Sequence, residues 1–331
     1  MFHNILVPLD GSARAERALP VAARIARARN GVVTLLRVVP NVPDVGGYMI
    51  PAVGVSAESI EREEREARSY LNDAAQKPAL QGIRVKTLVE FGIPTRVILD
   101  AITAAGVDAI VIGSHGRTGL SRWMLGSVAS AVVRHASIPV LLVRQQGPAL
   151  DEDGPRMHPF RILVPLDGSE LAEAALGPAQ LMGEVFAPGG VYELHLVRVI
   201  PFLNTAAPDP LRDTARAEVS AELDRLAQRI SADSARRARV ITSVILEVDA
   251  ADAIARLTRA DGLVTGAHVS DGCDLVAMAT HGRTGIARLA TGSVTERVLS
   301  ATVAPALIVR PDAMKSTAQP ESVMASAPAS S

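Results

Sequence analysis

The chain has 331 residues, with 34 Lys and Arg set against 35 Asp and Glu and a formal net charge of −1. That length suits two domains, and 48% hydrophobic residues are ample for their cores. Balanced, interspersed charge argues against a nucleic-acid or anionic-membrane partner, and 3% aromatics argue against base-stacking surfaces.

The N-terminus, MFHNILVPLDGS, has neither the basic nor the long apolar region of a signal peptide. No uninterrupted apolar run is long enough to span a bilayer. Ile5 to Leu9 reads as a short strand. Ser12 is placed to cap a helix whose apolar face is Ala15, Ala18, Leu19, Ala22, Ala23 and Ala26, ending near Asn30-Gly31. Val32 to Val39 is a second strand, followed by an irregular stretch from Pro40 to Gly54. A helix rich in Glu and Arg, from about Ala57 to Gln76, reads as a solvated outer face. Ile83 to Val89 is a third strand, Thr95 to Ala105 a helix, and Ala109 to Ile112 a fourth strand. The loop GSHGRTGLSRWMLGS, Gly113 to Ser127, enters a helix with Val128, Ala131, Val132 and His135 at helical spacing. Val140 to Val143 is the last strand. Such alternation means a parallel sheet with helices on both faces, and ligands bind beyond the carboxyl ends of its strands.

The pattern then starts again. Asn4 to Ser12, NILVPLDGS, returns as Arg161 to Ser169, RILVPLDGS, and IPVLLVR from Ile138 returns as APALIVR from Ala304. The offset is 157 positions at the first strand and 166 at the loop, too long for a solenoid unit. A whole domain is duplicated: residues 1–144 and 160–311, with a Pro-, Gly- and acid-containing linker at 145–159 and a small, polar tail at 312–331 expected to be disordered. Gly92 and Pro94 become Asp249 and Ala251 in the second copy. About ten residues are inserted before Asp274, giving the segment Asp261 to Cys273. His268, Asp271 and Cys273 gather there and could in principle bind a metal, but a flexible surface insertion is the plainer reading. Cys273 is the only cysteine, so no internal disulfide is possible, which agrees with a reducing cytosol.

The loop carries the chemistry. Gly113, Gly116, Gly126 and Ser127 follow the pattern G-x2-G-x9-G-S, and the second copy keeps Gly282, Gly292 and Ser293, with Ala279 at the first position. Glycines let backbone approach a ligand, and the N-terminus of the next helix offers free N–H groups and the positive end of a dipole. Together they form a seat for phosphate without a charged side chain. One copy alone could be a plain strand–helix turn; two with the same spacing favour phosphate. Arg117 and Arg283 either reach phosphates or are solvated. His115 and His281 read as backbone-positioning or surface residues, because no nucleophile or paired carboxylate repeats beside them. Trp123, with Leu289 in its place, reads as packing or interface. Asp10 and Asp167 are either helix caps or ligand contacts. Ser127 and Ser293 could cap their helices, and Ser293 with Glu296 fits a capping box. The P-loop signature, the dinucleotide fingerprint, a Ser/His/Asp set and a carboxylate dyad are all missing.

Taken together, V-P-L-D-G-S, the glycine loop with its His-Gly-Arg-Thr-Gly core, and the P-V-L-L-V-R strand resemble the universal stress protein family in its tandem form. The resemblance implies, in each copy, a five-stranded parallel open sheet of order 3-2-1-4-5 that binds ATP. By position, Gly113, Gly116, Gly126 and Ser127 would hold ribose and phosphates, Asp10 would lie beside the adenosine, and Val38 would face adenine through its backbone. The matching residues are Asp167, Val199, Gly282, Gly292 and Ser293. Ala279 would put a methyl where backbone should approach the nucleotide, so the second site is expected to be weaker. Mg²⁺ can accompany ATP through its phosphates. In this strand order the last strand of each copy is an apolar edge, which invites antiparallel pairing of Val140–Val143 with Leu307–Val309 in an internal pseudo-dimer. The function implied is that of a cytoplasmic, ATP-binding, non-catalytic regulator of the stress response with unidentified protein partners and, as a further step, homodimerisation. The alternatives are an adenine-nucleotide hydrolase or adenylyl-transferring enzyme, and a nucleotide-free interaction module.

Overall fold

The computed structural model describes residues 1–40, 44–45, 48–49, 57–114, 125–145, 150, 158–201, 210–233, 237–259, 272–280 and 292–311. In the first copy, β1 (Asn4–Leu9) leads through α1 (Ala13–Glu16) and α2 (Ala18–Arg29) to β2 (Val32–Val39). A short ladder, β3 (Asp44–Val45) with β4 (Tyr48–Met49), precedes α3 (Ala57–Ala75), β5 (Arg84–Phe91), α4 (Pro94–Ala104), β6 (Ala109–Gly113), α5 (Ser127–His135) and β7 (Val140–Val143). The second copy runs β8 (Phe160–Pro165), α6 (Glu170–Glu173), α7 (Leu176–Phe186), β9 (Tyr192–Ile200), α8 (Pro210–Asp233), β10 (Ala238–Leu246), α9 (Ala250–Leu257), β11 (Leu275–Ala279), α10 (Ser293–Ala301) and β12 (Ala306–Val309).

All the long strands join one ten-stranded sheet of order β10-β9-β8-β11-β12-β7-β6-β1-β2-β5. Within each copy the pairing is parallel and the order is third, second, first, fourth, fifth. The two copies meet where β12 pairs antiparallel with β7, Leu307 opposite Leu141 and Ile308 opposite Val140. The apolar edges foreseen in the sequence thus satisfy each other. Around the junction Arg134 meets Glu296 at 2.7 Å, and the Arg144 guanidinium donates to the carbonyl of Leu299.

Strand residues alternate between two cores. Ile5, Val7 and Leu9 face α2 and α3 with Leu19, Ile25 and Leu71, whereas Leu6 faces α4 and α5 with Ile98, Ile102 and Val132. The first core runs on into the second copy. Phe160 stacks on Phe186 with ring centroids 5.2 Å apart, and the Arg24 guanidinium lies 5.2 Å over the Phe186 ring. Burying one such side chain fully stabilises the fold by about 1.5–3 kcal/mol.

Three details differ from the sequence reading. The helix after β1 breaks at Arg17, because Pro20 lacks an N–H and its ring would meet the carbonyl of Glu16; proline is tolerated only in a first turn, so α2 restarts at Ala18. Pro178 sits likewise at the third position of α7. The end of α2 is where the sequence put it, with Asn30 left-handed at φ 49°. Gly31 has another reason to be glycine: a Cβ there would lie 2.6 Å from the carbonyl oxygen of His3. The charged helix α3 is solvated on most of its surface, with i,i+4 pairs such as Arg68–Glu64 at 2.6 Å, but Ala67, Leu71 and Ala74 bury a stripe against the sheet. Finally, Cys273 is not on a surface insertion. It is buried at the entry to β11, and desolvation pushes its thiol up to about 12. Among the described residues no cluster of His, Cys, Asp and Glu could hold a metal, and no helix is long and apolar enough to cross a membrane. His268 and Asp271 lie outside the described residues.

Candidate functional site

Each copy gathers three segments at the carboxyl ends of its strands. The first is the Asp-Gly-Ser turn after β1 and β8. Gly11 and Gly168 take φ of +86° and +85°, a region open to glycine without strain. Asp10 Oδ1 accepts from Ser12 N at 2.9 Å and from Ser12 Oγ at 2.6 Å, and Ser12 Oγ accepts from Ala15 N at 3.2 Å. The second copy repeats this with Asp167, Ser169 and Ala172 at 3.0, 2.6 and 3.2 Å. The helix caps are therefore Ser12 and Ser169. Asp10 and Asp167 are not caps; they orient the capping serines, half-buried at the strand ends.

The second segment is the glycine loop. In copy one it is closed at its neck, where Ser114 N donates to Val143 O at 2.9 Å and Gly126 N donates to Ser114 O at 2.8 Å. Thr280 N to Val309 O at 2.9 Å and Gly292 N to Thr280 O at 2.6 Å form the same neck in copy two. A Cβ on Gly292 would lie 2.7 Å from Thr280 O, so this glycine is required by the neck itself. Beyond it the helix begins at once. Gly126 and Gly292 hold the N-cap positions and make no side-chain cap; Ser127 and Ser293 are the first helical residues. The capping role and the capping box are thus absent, and Glu296 turns instead to Arg134. The amides of residues 127–129 and 293–295 precede the first intrahelical bonds, made by Ser130 N to Gly126 O and Glu296 N to Gly292 O at 2.8 and 3.0 Å.

Gly113 also has a packing reason to be glycine. A Cβ there would lie 3.1 Å from Arg14 O and 3.4 Å from the Ala15 Cα, in the backbone of α1. A methyl at this position points at the helix after the first strand and not into the crevice.

The third segment is the end of the second strand, with Val38 buried and Val199 half-buried, both on the α4/α9 side of the sheet. The structure brings Asp10, Val38, Gly113, Gly126 and Ser127 to one strand end, and Asp167, Val199, Gly292 and Ser293 to the other. Gly116, Arg117, His115 and Trp123, and Gly282, Arg283 and His281, lie outside the described residues.

The copies diverge around this frame. Asp249 occupies the N-cap of α9, where copy one has Ile93 at the N-cap of α4, so its counterpart is Ile93 and not Gly92. Its carboxylate accepts from Ala251 N and Asp252 N at 2.9 and 3.1 Å and pairs with Arg297 of α10. The Arg297 bond, followed by the Asp252 amide, holds the carboxyl below the usual range. Thr295 Oγ1 donates to Ala279 O at 3.1 Å, a tie for which copy one has Ala129.

Two residues escaped the sequence reading. Arg37 and Arg198 stand at matching places on β2 and β9, beneath the Asp-Gly-Ser turns. Arg37 Nη1 donates to Leu9 O at 3.4 Å, and Arg198 Nη1 meets Glu222 at 3.5 Å. One charge at the same place inside an apolar strand of both copies was the available signal.

Fold and necked loops together define a tandem, doubly wound α/β protein with one necked loop at the strand ends of each copy. Comparison with known proteins agrees. The model of the universal stress protein family matches residues 1–144 and again 160–310. A universal stress protein of Mycolicibacterium smegmatis is 26% identical over 314 residues, covering 93% of this chain and 97% of that one. Universal stress protein YxiE of Bacillus subtilis is 32% identical over 148 residues, 44% of this chain and all of its own length. Among solved structures, a universal stress protein from Archaeoglobus fulgidus superposes with a TM-score of 0.63 at 19% identity, covering 94% of this chain and 97% of that one, which speaks for the fold. The chain belongs to the universal stress protein family, with two family domains in tandem.

Proposed function

We propose that this protein is an ATP-binding regulator of the stress response with little or no hydrolysis, one site residing in each of the domains 1–144 and 160–311. The observation that carries the reading is the neck: in both copies a loop leaves and rejoins the strand end within one hydrogen bond and delivers the first amides of a nine-residue helix. Those amides and the helix dipole suit the phosphates, and the half-buried Asp10 and Asp167 stand at the strand ends assigned to the adenosine. Mg²⁺ would be held through the phosphates, supplying charge neutralisation. No described residue near either neck pairs a general base with a nucleophile or metal ligands, which weighs against the enzymatic reading. The test is nucleotide analysis of the full chain denatured fresh from cells, followed by a turnover assay. Retained ATP without turnover is expected. Protein that is empty and binds no millimolar ATP overturns the proposal, and multiple turnover would favour a hydrolase.

A further inference from the structure

A cavity of about 480 Å³ opens in copy two on the α7/α8 side of the sheet, behind the Asp167-Gly168-Ser169 turn, with Gly168 in its wall. Leu166, Leu223 and Leu226 give it an apolar floor, and Arg198, Arg225 and Arg229 face Glu173 and Glu222 around it. Arg198 is only 8% exposed, and its buried Nε has no hydrogen-bond partner among the described residues. A buried guanidinium N–H left unmade is costly, so the position calls for an acceptor.

Copy one shows what fills the same space. There Glu16 pairs with Lys77, and the Arg37 guanidinium lies 5.9 Å over the Tyr70 ring. Burial and Glu16 raise the Tyr70 phenol above its usual range. In copy two Glu173 pairs with Arg229 at 3.4 Å and Arg198 with Glu222 at 3.5 Å. Arg229 follows Glu222 by the same seven residues that separate Lys77 from Tyr70, and the next residues, Leu71 and Leu223, are both fully buried. Glu222 thus stands where copy one has Tyr70. A ring that plugs the site and covers the arginine has been replaced by a shorter carboxylate, itself about half-exposed and free to swing outward.

We infer that this cavity is a second ligand site, on the far side of the Asp167-Gly168-Ser169 turn from Val199, for a small carboxylic acid with an apolar or aromatic body. Two of the three guanidiniums are matched by Glu173 and Glu222, while Arg225 has no ion-pair partner among the described residues. One excess positive charge suits a monoanion, and the planar fork of Arg198 suits a carboxylate. The volume suits a small metabolite, whose body would rest where the Tyr70 ring rests in copy one. Glu222 would leave Arg198 as the ligand's carboxylate arrives.

Benzoate is the probe, titrated into the full chain with saturating ATP present so that the crevices are not reporters, and followed by ligand-detected NMR and calorimetry. Saturable binding is expected, weakened about tenfold or more in Arg198→Gln and in Glu222→Tyr, which restores the copy-one plug. Benzyl alcohol, uncharged and of similar shape, should bind about tenfold more weakly than benzoate. Absence of saturable benzoate binding to the wild type overturns the inference, as does equal binding by both variants. Benzyl alcohol binding as well as benzoate would leave only an apolar groove and also overturns it. Should Arg198→Gln fail to fold, Glu222→Tyr decides, since copy one shows that a tyrosine is accommodated there.

Discussion

The turn after β1 and the turn after β8 agree to about a tenth of an ångström in the bonds of Asp to Ser and of Ser to the helix, yet what lies behind them does not. Tyr70 covers one arginine and Glu222 the other; Ile93 begins one helix and Asp249 the other. The repeated residues fix backbone: a left-handed glycine, a serine cap, a neck. The divergent residues decide what can enter beside that backbone. Duplication has kept the frame and released its lining.

The sharpest way to break this comparison is at the neck. Gly292→Ala would force a methyl to within 2.7 Å of the Thr280 carbonyl, a backbone atom that cannot swing away. We expect a loss of about 1–3 kcal/mol in urea unfolding and of ATP binding at copy two, with copy one retained. Unchanged stability would mean that the neck is not a rigid constraint. Next in size are the caps. Ser12→Ala and Ser169→Ala should each cost about 1 kcal/mol by thermal unfolding, and equally, because their geometry is the same. Unequal losses would show that the turns are less alike than their distances.

Ala279→Gly tests the role of the first loop position. If the methyl takes the direction of a Cβ on Gly113, toward a helix, nucleotide affinity at copy two should change less than about twofold in calorimetry, while stability falls by about 0.5–1 kcal/mol through added chain freedom. A large gain in affinity would restore the idea that the methyl obstructs the crevice. The smallest effect belongs to Asp249. Its carboxyl is held below the ordinary value of 3.8, so its contribution is complete above that pH and is lost as pH falls through the lower folded value. Melting temperatures of wild type and Asp249→Asn should therefore differ most near neutrality and converge in acid; a gap that widens in acid would reverse the sign.

Much of this could be read directly from the sequence. Repeated words such as V-P-L-D-G-S place strand ends and caps because their backbone demands are local. The last strands announced their partnership because apolar edges seek one. Other features are not local. The break at Arg17 required weighing Pro20 against an otherwise helical face. Cys273 looked like part of an insertion because burial by a distant strand leaves no mark on its neighbours. Glu193 and His195 lie buried on β9, satisfied by Arg161 at 2.6 Å and Ser243 at 2.8 Å, partners far away along the chain. Which ring or carboxylate covers Arg37 and Arg198 is likewise a matter of how α3 and α8 settle on the sheet.

The junction between β7 and β12 has one more consequence. Strands run parallel inside each copy but reverse direction where the copies meet. Their carboxyl ends therefore point to opposite rims of a single slab, and the two mouths look away from each other. One small molecule cannot straddle both, and a protein that grips one rim leaves the other open. Any conversation between the two must pass through the protein itself, along the β7–β12 pairing or the helix contacts beside it, Arg24 on Phe186 and Arg134 with Glu296.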